Sequence, residues 1–284
     1  MSGELYVRGV GVWSALPLSA ATRETRAENA DAHALGSRRD VAGSAAAPKP
    51  AAALLSARMR GRASPLTLMF AEVAEQAARS AGVSLERMPS VFGSAYGEMN
   101  TTATLLSQLW AADGQLSPAK FQASVHNTAA AQLSIALHNS SFTTSIAAGH
   151  DTVAMCLIEA WAWLARHPGQ VLVACADEGP TAALQPGAAY PPVAAAFVLD
   201  NVARRGLARI LLHAPEAEAS ELDTQQHLEI NPVTSAVALA ELVLHAREPA
   251  SAPGLARPVA LNLAAPRGYR VSVEPVEPAA DDQR

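Results

Sequence analysis

Phe142-Thr143-Thr144-Ser145-Ile146-Ala147-Ala148-Gly149-His150-Asp151-Thr152 is the stretch that decides the fold of this 284-residue chain. It opens with residues suited to a strand, passes through a turn of small residues, and runs into residues 151–166, which carry an almost wholly apolar helical face. A continuous apolar run follows at 170–176, of the kind that lies buried between helix layers. Strand, tight turn, buried helix and buried strand make a βαβ unit, and the chain is read as an α/β protein.

Outward from this unit the signals alternate in the same way. Leu5, Val7, Val10 and Val12 alternate around Gly9 and Gly11, so 4–13 reads as a first strand turned by 14–17. Residues 28–63, rich in Ala, Ser, Pro and Arg without sustained periodicity, predict a long surface excursion with at most a short helix near 51–59. Ser64 suits an N-cap and Pro65 the first helical position, and Leu66, Met69, Val73 and Ala77 keep one face, so a helix is expected over 65–81 up to Gly82. A strand at 91–94 follows. The loop 95–97 leads to a helix opening at Asn100 or Thr101 and ending near Asp113-Gly114, and a second helix spans 128–137. Further on, strands are expected at 193–199 and 206–213, a helix at 232–245, and strands at 258–263 and 268–273.

Composition narrows the function. With 21 Lys+Arg against 26 Asp+Glu the net charge is −5, and the charges are scattered. Nucleic acid and anionic membrane need clustered Lys and Arg, so neither is expected as the principal partner. Half of the residues are hydrophobic and 17% charged, which excludes disorder as the main state. The amino-terminal segment carries Glu4 and Arg8 in place of an apolar signal core, and the longest apolar stretch is broken by Glu159, so a cytoplasmic protein without a membrane span is expected. Cys156 and Cys175 each lie inside an apolar run, which fits a reducing compartment and excludes a cysteine-built zinc site.

Several chemical motifs read as structure. Gly9-Val10-Gly11 sits within a strand and lacks the third glycine that opens a dinucleotide-binding helix. No GxxxxGK[ST] loop occurs, and Lys49 and Lys120 are the only lysines. Ser145, His150 and Asp151 are near one another, and Ser124 precedes His126 by two residues, yet no GxSxG elbow surrounds either serine. His126 and His138 bracket a helix, too far apart to share a metal, so no metal and no cofactor is expected. Cys156 falls inside the apolar helix, where burial suppresses a thiolate.

The 142–152 stretch resembles the nucleophile elbow of the β-ketoacyl synthases of the thiolase superfamily, in which a strand delivers a cysteine to a helix N-terminus. Other segments agree in order: LYVRGVGVWSALP with the family's opening strand, 91–97 with its second strand and loop, SVHNTAAAQLSIAL with the helix before the elbow, and VLVACADEG with the strand after it. The resemblance covers about residues 4–213 and, more loosely, 232–273. The subgroup it is most similar to is the short chain-length-factor-like homologues associated with aryl polyene pathways. The resemblance implies a thiolase-like layered α/β/α fold with a complete N-terminal half, 1–213, an abbreviated C-terminal helix-strand-strand, 214–274, completing the same domain, and a disordered tail, 275–284.

Chemistry separates the chain from a working ketosynthase. The nucleophile position falls on His150, flanked by Gly149, Asp151 and Thr152, and imidazole cannot carry the acyl thioester that condensation requires. The family's second-half histidines and lysine are absent: no Lys follows Lys120, and His213, His227 and His245 lack a following Gly-Thr. The resemblance implies a truncated second half, which would leave apolar surface to cover, and it implies the cover: a full-length, active β-ketoacyl synthase in a heterodimer or larger assembly. Acyl carrier protein would dock mainly on that partner. Phe142, Thr143, Thr144, Ser145, Ile146, His126 and Asn127 are the interface candidates, and Leu106, Leu109, Trp110 and Phe121, the last in an SPAKFQ loop, the candidates for an acyl tunnel. For His150 the readings are a buried polar plug or an aid to decarboxylation, and Asp151 or Thr152 is expected to cap the helix. The alternative function is a stand-alone acyl-transfer or hydrolytic enzyme using Cys156 or a Ser/His pair.

Overall fold

The computed structural model describes residues 3–15, 49–111, 114–188, 190–203, 206–214, 230–246, 259–263 and 268–276. Eight strands form one mixed sheet: β1 (Gly3–Ser14), β2 (Ser90–Gly93), β3 (Thr143–Ile146), β4 (Gln170–Asp177), β5 (Val193–Asp200), β6 (Ala208–His213), β7 (Val259–Asn262) and β8 (Arg270–Pro275). Their order across the sheet is β3-β2-β4-β5-β1-β6-β8-β7. β2 runs parallel to both β3 and β4, and every other pairing is antiparallel.

Seven helices are described: α1 (Ala57–Arg60), α2 (Pro65–Ala81), α3 (Met99–Leu109), α4 (Pro118–Gln122), α5 (Thr128–Leu137), α6 (Thr152–Arg166) and α7 (Thr234–Ala246). α2 covers one face of the sheet, against β1, β5 and β4, while α6 and α7 cover the other. α7 also touches β1, β5, β8 and β7, and residues 231–240 are buried without a break.

The strand alternation divides these two cores. Val193, Ala195, Phe197 and Leu199 of β5 join the α6/α7 side, while Ala194, Ala196 and Val198 join the α2 side. β4 splits likewise, with Val171, Val173 and Cys175 on one side and Leu172, Ala174 and Ala176 on the other. The α2 side is paved with small residues, and Gly9 and Gly11 complete the paving on β1. A Cβ at Gly11 would lie 2.2 Å from the Val73 carbonyl oxygen, and one at Gly9 2.3 Å from that of Ala77. The Gly-Val-Gly pattern therefore serves backbone-to-helix contact.

α2 keeps the predicted limits because its ends are locally encoded. The Ser64 hydroxyl accepts from the Thr67 amide at 3.0 Å, Pro65 stands at the first turn, and Gly82 closes the helix at φ 67°. Other expectations need correction. The excursion expected over 28–63 is anchored at its end: Ala52 and Leu55 are buried in the α2 core, and the helix expected near 51–59 is the single turn α1. Pro275, the first residue of the expected tail, instead ends β8; residues 16–48 and 277–284 lie outside the described residues. Phe121 lies in a helix, α4, where a loop was expected; Ser117 caps it and Pro118 starts it.

Candidate functional site

Because β2 is parallel to β3 and β4, the carboxyl ends of all three lie together, and the segments 94–98, 147–151 and 178–188 leave the sheet there. In α/β sheets this is where ligands bind. The sharpest feature is the turn after β3. Gly149 takes φ 56°, in the left-handed region, Gly149–Asp151 form one 3₁₀ turn, and α6 starts at Thr152. Of the two residues expected to cap the helix, Thr152 holds the turn: its hydroxyl donates to the Gly149 carbonyl at 2.6 Å and accepts from the Ala148 amide at 3.1 Å. The Asp151 side chain makes no capping bond. His150 is half-buried on this turn, at the amino end of α6, whose free amides and dipole attract an electron-rich atom.

Thr152→Val keeps the shape of the side chain but leaves the Ala148 amide without its acceptor. It is expected to cost about 2 kcal/mol, read as a lower urea midpoint at unchanged m-value. An unshifted midpoint would remove the hydroxyl clasp as the device that holds the elbow.

The residues of the stand-alone enzyme reading are not brought together. Cys156 lies one turn into α6 and is fully buried; its Sγ presses on Gly93 of β2, and hydrogen bonding to Cys175, with burial, pushes the thiol well above its ordinary range. Ser145 Oγ is buried and makes no hydrogen bond, and the Ser124 hydroxyl donates to the Phe121 carbonyl at 2.8 Å, so neither serine is paired with an imidazole. His126, from the loop before α5, places Nε2 2.8 Å from the Ser94 carbonyl oxygen and its ring against Gly97, tying down the β2–α3 loop. His138 closes α5 at φ 51°.

Around that loop lies a set of buried carboxylates that sequence reasoning missed. Asp177, at the end of β4, accepts from the Ser94 hydroxyl at 2.5 Å and from the Ala95 and Tyr96 amides at 2.8 and 3.3 Å. Burial still outweighs these donors and raises its pKa to about 7. Glu178 accepts from the Asn100 amide at 3.1 Å, capping α3 from 78 residues away, and Glu98 accepts from the hydroxyls of Ser64, Thr67 and Thr101. Burial raises both glutamates as well. Among the described residues no Lys or Arg pairs with the three; hydroxyls, amides and the starts of α2 and α3 replace cations. The available signal was Asp177-Glu178 closing an otherwise apolar strand.

The tunnel candidates lie on α3, at its end and on α4. Leu106 is half-buried, while Leu109, Trp110 and Phe121 are 51%, 77% and 60% exposed; the buried residues of α3 are Met99 and Leu105. Of the ten large apolar side chains exposed among the described residues, six fall between 109 and 135. Of the interface candidates, Thr143, Thr144, Ser145 and Ile146 form β3, one of the two edge strands of the described sheet. Phe142 precedes it and stacks on Trp163 with ring centroids 4.0 Å apart, and His126 and Asn127 precede α5.

The profile of the family described as "Beta-ketoacyl synthase, N-terminal domain" matches residues 36–252, about three quarters of the chain. No curated protein matches it in sequence. Among solved structures, the ketosynthase ApeO in complex with its chain length factor ApeC from Xenorhabdus doucetiae is similar with a TM-score of 0.61 and 16% identity, over 95% of this chain and 98% of that one. The ishigamide ketosynthase/chain length factor has a TM-score of 0.67 at 14% identity, over 98% of this chain and 100% of that one. A β-ketoacyl synthase from Burkholderia phymatum has 0.62 at 12% identity, over 97% and 100%. At these identities the likeness is one of fold, and the layered α/β/α arrangement described above is the thiolase-like fold of ketosynthases. Among the described residues no helix is long and apolar enough to cross a membrane.

Proposed function

The chain belongs to the β-ketoacyl synthase N-terminal domain family, and from that premise we propose that it is a non-catalytic, chain-length-factor-like subunit that pairs with an active β-ketoacyl-carrier-protein synthase. The observation that carries the reading is an elbow of the family's shape, strand, left-handed glycine and helix start, with imidazole at the nucleophile position. Such a turn retains the architecture of acyl transfer without the thiolate that would hold the acyl group. His150 acts there as a polar plug.

Two surfaces support the pairing. β3 offers an open edge for strand addition, with backbone groups of 143–146 directed outward from the sheet. Exposed apolar side chains on α3, α4 and the segments beside them supply the area that a partner would cover. Trp110, Phe121, Leu106 and Leu109 would then close the partner's acyl tunnel and limit the chain growing on the carrier. The carrier docks on the ketosynthase, since this chain has no clustered positive charge to receive an acidic one. Aryl polyene-type synthesis in the cytoplasm is the setting we assign, by the resemblance of the shorter homologues.

Co-expression with the ketosynthase encoded beside it tests the reading. His150→Ala should leave condensation of malonyl-carrier by the pair within about twofold, while mutation of the partner's nucleophile abolishes it. Trp110→Ala and Phe121→Ala should lengthen the products by about one two-carbon unit, read by mass spectrometry, because each removes a wall of the tunnel. An unaltered product distribution would sink the chain-length role, and turnover of acyl thioesters by the isolated chain would sink the non-catalytic one.

A further inference from the structure

Away from the carboxyl ends of β2–β4, a cavity of about 180 Å³ lies between α6 and the strand ends of β1, β6 and β8. Ala154, Ile158 and Trp161, at i, i+4 and i+7 of α6, line one side, and Leu212, Leu263 and Tyr269 line others. Gly3 closes it beside Trp161: a Cβ there would lie 3.1 Å from the indole ring. Two basic residues border this apolar chamber. His213 and Arg270 are register partners on the adjacent strands β6 and β8, and His213 Nε2 sits 2.7 Å from Ser272 Oγ.

We infer that this cavity binds a short aliphatic carboxylic acid, with its tail against Ile158, Trp161 and Tyr269 and its carboxylate at His213 and Arg270. Size sets the chain. An apolar cavity of roughly 150 Å³ takes one benzene ring, so 180 Å³ suits one ring or a chain of about six carbons. Charge sets the head group, because a guanidinium carries five N–H donors and serves more than one acceptor. The site is separate from the elbow and from the surfaces assigned to the partner.

Hexanoate added to the full chain, followed by calorimetry, tests this. Saturable binding with a Kd on the order of 1 mM is expected for a ligand of this size. Ile158→Trp, which fills the chamber from its half-buried wall, should weaken it at least tenfold. Arg270→Gln should weaken hexanoate about fivefold and leave 1-hexanol unchanged. Dodecanoate should bind no more tightly than hexanoate, since a cavity of about 180 Å³ cannot bury twelve carbons. Absence of saturation up to tens of millimolar, binding unchanged by Ile158→Trp, 1-hexanol weakened as much as hexanoate by Arg270→Gln, or affinity that keeps rising to dodecanoate would each overturn the assignment. The chain-length series uses the unaltered protein, so it decides the matter even if the tryptophan variant fails to fold.

Discussion

Gly11→Ala is expected to lower the melting temperature by about 6–12 °C. The added Cβ would stand 2.2 Å from the Val73 carbonyl oxygen and 2.9 Å from the Ala77 amide nitrogen. Both are backbone atoms of α2, so no side chain can swing away; the helix must lift from β1 or the strand must bend. Overpacking of this kind costs about 3 kcal/mol or more, and a domain of this size loses roughly 2–4 °C per kcal/mol. Lifting α2 also disturbs its contacts with β5 and β4, because the alanines there were matched to the same close approach. Gly61→Ala is the control. Gly61 is in ordinary right-handed helical geometry, and the nearest atom to its Cβ would be 3.6 Å away. There the same methyl group should be neutral or stabilise by about 0.5 kcal/mol through the unfolded chain. Thermal melts of the two variants beside the parent check both, and equal losses would refute the close-approach account.

Stability should fall as pH rises from about 4 to about 7, and Asp177 should carry the largest share. Its folded pKa, about 7, stands above the ordinary carboxylate value of 3.8 because burial disfavours the charged form. A raised folded pKa means that the folded state holds its proton longer than the unfolded state. The contribution is fully present below the unfolded value and is lost as pH climbs through the folded one. The loss amounts to a few kcal/mol, at about 1.4 kcal/mol per unit. Glu98 and Glu178 are raised in the same direction and add to the slope. Asp177→Asn removes the titration, while its amide nitrogen would face the backbone N–H of either Tyr96 or Ala95, one donor too many. The variant should therefore be less stable than the parent at pH 5, and its melting temperature should decline much less between pH 5 and 8. Parallel pH profiles for the two proteins would exclude Asp177 as the group responsible.

These two effects differ in how far they could be foreseen. Gly9 and Gly11 were visible in a strand pattern, and their failure to meet the dinucleotide fingerprint followed from the sequence; that they face a helix backbone did not. Asp177 and Glu178 were visible at the end of a buried strand. Their partners, Ser94, Asn100 and the amides of 95 and 96, come from a loop about 80 residues earlier. The likeness to the ketosynthase elbow was legible because it is local: six small or β-branched residues, a glycine and an apolar helix within one stretch of chain.

The sequence by itself determined the α/β class, the family resemblance, the elbow and the limits of α2 and α5, because caps, turns and hydrophobic period act between residues a few positions apart. By the resemblance, His150 and no thiol falls at the position of the family's nucleophile, and the proposed function rests on that reading. Tertiary structure alone decided which strands neighbour which. β2 lies between β3 and β4, and β8 joins β6, through pairings that close loops of tens of residues and leave no local mark. It alone decided that Leu105 enters the core while Leu109 and Trp110 stay outside, since a helix face is buried or exposed according to what packs against it. It alone built the carboxylate cluster and the cavity beside Trp161, because burial and enclosed volume are properties of several elements at once.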